Sequence, residues 1–261
     1  MPYLSIRDLR MYYEERGPAD AQPVLLLNGA GGTIDDPVAG WAALAPAISA
    51  QFRTFLIEHR GHGRTNNPAG FMSFDQMADD IASLVDELKL GAVHVLGISD
   101  GGVIALDLAL RRASLIRSIT TIGANYCVDQ LTLGAASGLE PDNIEREAPD
   151  AAAMFAARHD PGKYPGFWKE LIRQVKDNNA TAPSWTVEDL RTIACPTLLI
   201  SGELDPFANT EQMVVMKREI PHAEWLIINR AGHAVHHEHP DFVGGRIVDF
   251  LVRNASIPTK A

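Results

Sequence analysis

Ser99 stands in Gly97-Ile98-Ser99-Asp100-Gly101-Gly102, after the strand-like run Val93-His94-Val95-Leu96 and before a helix-like stretch at 103–112. A serine on a tight strand-to-helix turn is held in a strained backbone conformation with its hydroxyl exposed. Residues two before and two after it must lack side chains, because strand and helix approach closely there. Gly97 and Gly101 meet that need. A serine hydroxyl is a poor nucleophile near neutral pH and needs an adjacent base, which in turn needs an orienting acid. The C-terminal third offers both. An apolar run at 197–200 leads into Gly202-Glu203-Leu204-Asp205-Pro206, and one at 225–228 leads into Asn229-Arg230-Ala231-Gly232-His233. Asp205 is the favoured acid and Glu203, two residues earlier, its competitor; His233 is the favoured base.

For these three side chains to meet, the chain must bring their loops to one edge. Apolar runs recur at 24–27, 54–57, 93–97, 116–122, 197–200 and 225–228, several of them apolar on successive residues. That is the pattern of strands buried on both faces of a parallel sheet. Residues 3–6 and 10–15 flank a short polar break and read as an antiparallel hairpin at the sheet edge. Between the runs lie helical patterns. In the clearest, at 74–89, Phe74, Met77, Ala78, Ile81, Leu84, Val85 and Leu88 form one stripe, with Ser73 and Gln76 as a capping box. Weaker helices fit 41–50, 101–112, 210–219 and 241–253. This alternation predicts an α/β fold with a doubly wound, mostly parallel sheet. In such a sheet the loops after the strands emerge at the carboxyl edge, where sites form, so Ser99, Asp205 and His233 are expected to meet there.

From 127 to 190 the rhythm breaks: no convincing strand, helical patterns at 148–158 and 167–177, and many Gly and Pro residues. The segment is too long for a plain loop. It is read as an inserted helical lid on a core made of 1–126 and 191–261.

Composition narrows the chemistry by exclusion. Of 261 residues 46% are apolar, which excludes a disordered chain, and 23 basic against 33 acidic residues leave a net charge of −10. Such a balance disfavours nucleic acid and anionic membrane surfaces as partners. No apolar run approaches the roughly 18 residues of a membrane span. The first sixteen residues lack the apolar stretch of a signal peptide, so the cytoplasm is the expected compartment. Cys127 and Cys195 make neither a disulfide framework nor a metal-ligand spacing and read as inert thiols. His233, His236, His237 and His239 invite a zinc reading, but no spacing here matches a common site. The later three are read as surface or lid-facing residues, and His59 and His62 as parts of a structural turn. No metal and no cofactor are expected, and oligomeric state leaves no mark in the sequence.

With these residues in place, the chain resembles the α/β-hydrolase family over nearly its whole length. Asn28-Gly29-Ala30-Gly31-Gly32 stands where relatives often have His-Gly-x-x, and Glu58-His59-Arg60-Gly61-His62-Gly63-Arg64-Thr65 looks like their D-x-R-G-x-G-x-S turn. Gly202-x-x-Asp205 and Gly232-His233-x4-Glu238-x-Pro240 complete the set. Asn28 for His and Glu58 for Asp are departures. The resemblance implies that the backbone N–H groups of Ala30 and Asp100 form an oxyanion hole. It also implies hydrolysis of a carboxylic ester or lactone through an acyl-enzyme, with a small-molecule substrate. The same triad serves amidases, C–C bond hydrolases and perhydrolases, and a non-catalytic ligand receptor is the alternative of another class. The Ser-Asp-Gly-Gly elbow looks like that of the biphenyl hydrolase-like (valacyclovir hydrolase) branch, whose substrates are amino-acid esters, so Asp100 is a candidate contact for a substrate amine. Tyr126, Phe155, Phe167, Trp168 and Trp185 are candidates to line an apolar substrate cavity.

Overall fold

A computed structural model describes residues 3–255 of the chain. The hairpin read at the N-terminus is β1 (Tyr3–Ile6) with β2 (Leu9–Arg16). It is followed by β3 (Pro23–Leu27), β4 (Arg53–Ile57), β5 (Val93–Ile98), β6 (Ile116–Ile122), β7 (Thr197–Gly202) and β8 (Ala223–Ile228). Together they form an eight-stranded sheet in the order β1-β2-β4-β3-β5-β6-β7-β8. Pairing is parallel from β4 to β8 and antiparallel where β2 joins β4.

The continuous apolar runs are explained by burial on both sides. In β3, Val24 and Leu26 pack into one layer while Leu25 and Leu27 pack into the opposite one. One layer is held by α1 (Ala45–Ser49), the other by α2 (Phe74–Glu87) and α3 (Asp100–Arg111). The predicted stripe of α2 is its buried face, and Ser73 Oγ caps the helix by accepting from Gln76 N–H at 3.2 Å. The capping box itself is not closed: the Gln76 amide is oriented toward Phe71 O and Arg60 instead of the Ser73 N–H. α1 is shorter than the sequence suggests because Trp41 is pulled into the core, where its indole N–H donates to Leu27 O at 3.0 Å.

Between β6 and β7 the chain forms α4 (Gln130–Ser137), α5 (Pro141–Glu147), α6 (Pro149–His159), α7 (Phe167–Thr181) and α8 (Val187–Arg191). The two ends of this insertion lie side by side: Val128 N–H donates to Pro183 O at 2.9 Å and Trp185 N–H to Tyr126 O at 3.2 Å. α8, read from sequence as part of the insertion, packs on α9 (Thr210–Glu219) and buries Leu190 in the main core. α10 (Val235–Glu238) and α11 (Pro240–Asn254) complete the chain, and α11 covers the α1 side. No helix among the described residues is long and apolar enough to cross a membrane. Because β3, β5, β6, β7 and β8 are successive parallel neighbours, the loops that follow them emerge side by side. Those loops carry Ala30, Ser99, Gly123, Asp205 and His233.

Candidate active site

β5 ends at Ile98 and α3 begins at Asp100, so Ser99 alone makes the turn. Its φ of 51° and ψ of −117° lie outside the regions that L-residues ordinarily occupy. The Ser99 N–H donates to Ile122 O at 2.7 Å, which ties the elbow to β6. A Cβ on Gly97 would collide with the Gly101 carbonyl, and one on Gly101 with the Leu27 carbonyl. Both glycines are therefore required by the packing of strand against helix.

On the neighbouring loops, His233 Nδ1 lies 2.9 and 2.8 Å from the two carboxylate oxygens of Asp205. With a carboxylate as its partner Nδ1 carries the proton, which leaves Nε2 as an acceptor. Asp205 is 5% exposed, and its Oδ1 also accepts the N–H groups of Phe207 and Ala208 at 2.8 and 3.0 Å. Glu203 is occupied elsewhere, accepting the Arg230 N–H at 2.9 Å. The Glu238 carboxylate accepts the Gly232 N–H at 3.0 Å and so fixes the residue before His233. Gly123, at φ +64°, lies under the pair: a Cβ there would sit 2.8 Å from His233 Cε1 and 3.0 Å from Asp205 Oδ2.

Ser99, Asp100, Ala30 and His233 all line one cavity of about 190 Å³. No hydrogen bond joins the Ser99 hydroxyl to His233 among the described residues. Contacts of this kind commonly close only when substrate is bound. The Ala30 N–H donates to no acceptor among the described residues, and that of Asp100 is the first of α3, where helix geometry provides no partner. Two free donors and the positive end of a helix dipole thus flank the serine, an arrangement suited to a developing negative charge.

The model of the alpha/beta hydrolase family matches residues 24–245, most of the chain. The chain belongs to the alpha/beta hydrolase family. The RutD protein of Pantoea ananatis (strain LMG 20103), provisionally named a carbamate hydrolase, is 27% identical over 95% of this chain and 96% of its own. A 2-hydroxy-6-oxononadienedioate/2-hydroxy-6-oxononatrienedioate hydrolase of Paraburkholderia xenovorans (strain LB400) is also 27% identical, over 94% of this chain and 91% of its own. Among solved structures, the enol-lactonase of Burkholderia xenovorans LB400 has the same fold, with a TM-score of 0.76 at 24% identity, covering 96% of this chain and 100% of that one.

In this alpha/beta hydrolase the aromatic residues proposed from sequence to line the cavity do not line it. Phe155 stacks on Trp168 with centroids 5.9 Å apart, while Phe167, Tyr126 and Trp185 pack on the main core. The first two hold the insertion's helices together, and the last three join the insertion to the core. The insertion instead supplies Thr132, Ala136, Leu139 and Asn179 to the cavity, and the core supplies Asn125 and Phe207, whose ring lies 4.7 Å from that of His233. None of these was singled out from sequence, because isolated amides and small residues have no diagnostic spacing. His236 is a further correction. It is 1% exposed, lines the cavity and bonds through Nε2 to Val38 O at 2.8 Å, whereas His237 and His239 are exposed as read. Burial pushes His236 down to about 4.

Proposed function

We infer that the protein is a serine hydrolase that cleaves a compact carboxylic ester or lactone through an acyl-enzyme. The observation that carries this reading is the placement of Ser99, at a strained elbow, in the same cavity as an imidazole held by a buried carboxylate. Ser99 Oγ attacks the carbonyl carbon as its proton passes to His233 Nε2, and Asp205 stabilises the imidazolium. The carbonyl oxygen becomes the oxyanion and accepts from the Ala30 and Asp100 N–H groups. Collapse breaks the ester bond, and His233 returns the proton to the leaving alcohol. Water, deprotonated by His233, then attacks the acyl-serine and releases the acid. A lactone follows the same path, with alcohol and acid leaving as one molecule. Drug-sized ligands occupy cavities of about 300–1,000 Å³, so about 190 Å³ suits a small acyl group.

The test is a panel of small esters, lactones, amides, carbamates and vinylogous diketones, with products identified by mass. Turnover of esters or lactones above the rest is expected. Turnover confined to carbamates or to C–C bonds would overturn the bond class, and none at all would favour a ligand receptor.

A cationic substrate is favoured by a specific feature of the wall. The Asp100 carboxylate is 6% exposed, lines the cavity and, among the described residues, accepts one bond, from Asn179 Nδ2 at 3.2 Å. Burial pushes its carboxyl up to about 6, with the Asn179 amide and His233 opposing. At neutral pH a substrate ammonium would supply the missing counter-charge. We expect amine-bearing esters to exceed neutral ones of equal size by about 10- to 100-fold in kcat/KM, the worth of one charged hydrogen bond. Asp100→Asn should abolish the preference; a preference that survives, or never existed, rejects the contact.

The same group affects stability. Its folded value lies above the 3.8 of an ordinary aspartate, so the folded state holds the proton more tightly. Wild-type stability should fall as pH rises from about 4 to about 6 through this group. Asp100→Asn is accordingly expected to be more stable than wild type at pH 7.5, by up to about 3 kcal/mol, with the gap closing toward pH 4. Urea titrations at the two pH values check this, and an unchanged gap would contradict it.

A further inference from the structure

A second, fully buried constellation lies behind the Ala30 loop, and the steps above make no use of it. His62 comes from the turn after β4 and His159 from the last residue of α6, and their rings meet edge to face at 6.0 Å. Gly31 sits between them. Its N–H donates to His62 Nε2 at 3.2 Å, and its carbonyl accepts from His159 Nε2 at 2.9 Å. The remaining nitrogens are also committed: His62 Nδ1 donates to Arg60 O at 3.0 Å, and His159 Nδ1 accepts the Gly63 N–H at 2.9 Å. Each ring must therefore be neutral and in one tautomer, opposite in the two. Burial, with smaller contributions from neighbouring charges, pushes His62 to about 4 and His159 to about 3, so that state holds at neutral pH.

The mechanical consequence falls on Ala30. Gly31 has a φ of +62°, and glycine alone would leave that joint loose. The peptide unit between Ala30 and Gly31 is planar, so fixing the Gly31 N–H fixes the carbonyl end of Ala30. On the other side, the Gly29 N–H is tied to Ala39 O at 2.8 Å. The insertion grips this loop twice more. Arg158 pairs with Asp36, whose Oδ1 accepts the N–H groups of Val38 and Ala39 at 2.8 and 2.9 Å. Phe155 and Ile172 close over Gly31, where a Cβ would lie 2.9 and 3.2 Å from their side chains. Lys163 donates to the carbonyls of Gly61 and Gly63, on either side of His62, at 2.9 and 2.7 Å.

We propose that His62 and His159 are positioning residues that clamp the Gly31 peptide so that the Ala30 N–H points at the oxyanion, making α6 of the insertion a working part of the oxyanion hole. The proposal rests on the assignment of Ala30 as an oxyanion donor.

The test compares His159→Gln with His159→Asn. A glutamine amide reaches as far as imidazole Nε2 and keeps a donor for Gly31 O; an asparagine amide matches Nδ1 and loses it. The measurements are Tm, kcat and KM for p-nitrophenyl acetate, and the backbone amide resonance of Ala30 in nitrogen-15-labelled protein. Displacing a transition-state donor by a fraction of an ångström to an ångström costs up to about 100-fold. His159→Asn should thus lower kcat by about 10- to 100-fold with KM within about threefold, and should shift the Ala30 resonance. His159→Gln should keep kcat within about fivefold of wild type. Should the Asn variant not fold, His159→Met, which fills the volume without a donor, replaces it with the same expected loss. Equal kcat in all proteins, equal loss in both amide variants, or a rise in KM at constant kcat overturns the proposal. If wild type hydrolyses no ester, the oxyanion assignment itself has failed. The Ala30 resonance then judges the clamp alone: moved by Asn and not by Gln, it stands; unmoved by both, it falls.

Discussion

Ser99→Ala is expected to lower kcat for p-nitrophenyl acetate by about 10⁴- to 10⁶-fold while KM stays within a few-fold of wild type. The size follows from the number of groups that act only through this oxygen. In the proposed reaction His233, held by Asp205, takes the Ser99 proton on its free nitrogen, and the Ala30 and Asp100 amides, which share the cavity, receive the oxyanion formed by attack from Ser99. Without the nucleophile, the base has no proton to take, and water would have to attack in its place. A residual rate above background, from oxyanion donors and binding, is expected to survive. The fold should not change: alanine keeps the backbone bond from residue 99 to Ile122, and the positive φ costs it no more than it costs serine. Melting curves of the two proteins control for this. Equal turnover by variant and wild type would remove nucleophilic catalysis at Ser99, and with it the acyl-enzyme.

The core strands were legible because burial on both faces writes an unbroken apolar run, as in β3, where all of Val24 to Leu27 are buried. α2 was legible for the complementary reason, one face buried and one solvated, which writes a period near 3.6. α4 and α5 were not. They are eight and seven residues long and are set by local caps, Asp129 with Thr132 and a proline at 141 in the first turn, more than by any apolar stripe. Likewise the elbow, Asp205 and His233 could be placed because each follows a strand at a glycine-marked turn, and chain direction then dictates the edge at which they emerge. The cavity wall could not. Asn179 and His236 owe their place to tertiary packing of the insertion and of α10, which no spacing encodes. The aromatic residues illustrate the converse: Phe155 and Trp168 carry a strong compositional signal, and it reports the packing of the insertion's own helices on one another. Gly123 and Gly31 are intermediate. Their glycines are visible in the sequence, but what their missing side chains make room for, the His233–Asp205 pair and the Phe155 ring, is not.

Asp205→Asn should lower kcat by about 10⁴-fold without unfolding the protein, and the hydrogen bonds around Asp205 say why. Oδ1 accepts the N–H groups of Phe207 and Ala208 as well as facing His233 Nδ1. An asparagine can keep both backbone bonds only by placing its carbonyl oxygen where Oδ1 is. Its NH₂ then occupies the position of Oδ2, 2.8 Å from His233 Nδ1. Two donors cannot face each other, so the imidazole proton moves to Nε2, and the nitrogen that takes the serine proton in the proposed reaction becomes a donor unable to do so. The ring stays in place with the wrong tautomer, a loss in kcat at nearly constant KM. Glu203→Gln offers the contrast. Its carboxylate accepts the Arg230 N–H on the exposed side of the same loop, and a glutamine carbonyl can accept that bond as well, so activity within about threefold of wild type is expected. Kinetics on both variants, with Tm as a control, decide between the two acids. A large loss at Glu203 with little at Asp205 would reverse the assignment, and proton-carbon NMR of the His233 ring would show whether the tautomer changes as the Asp205 geometry requires.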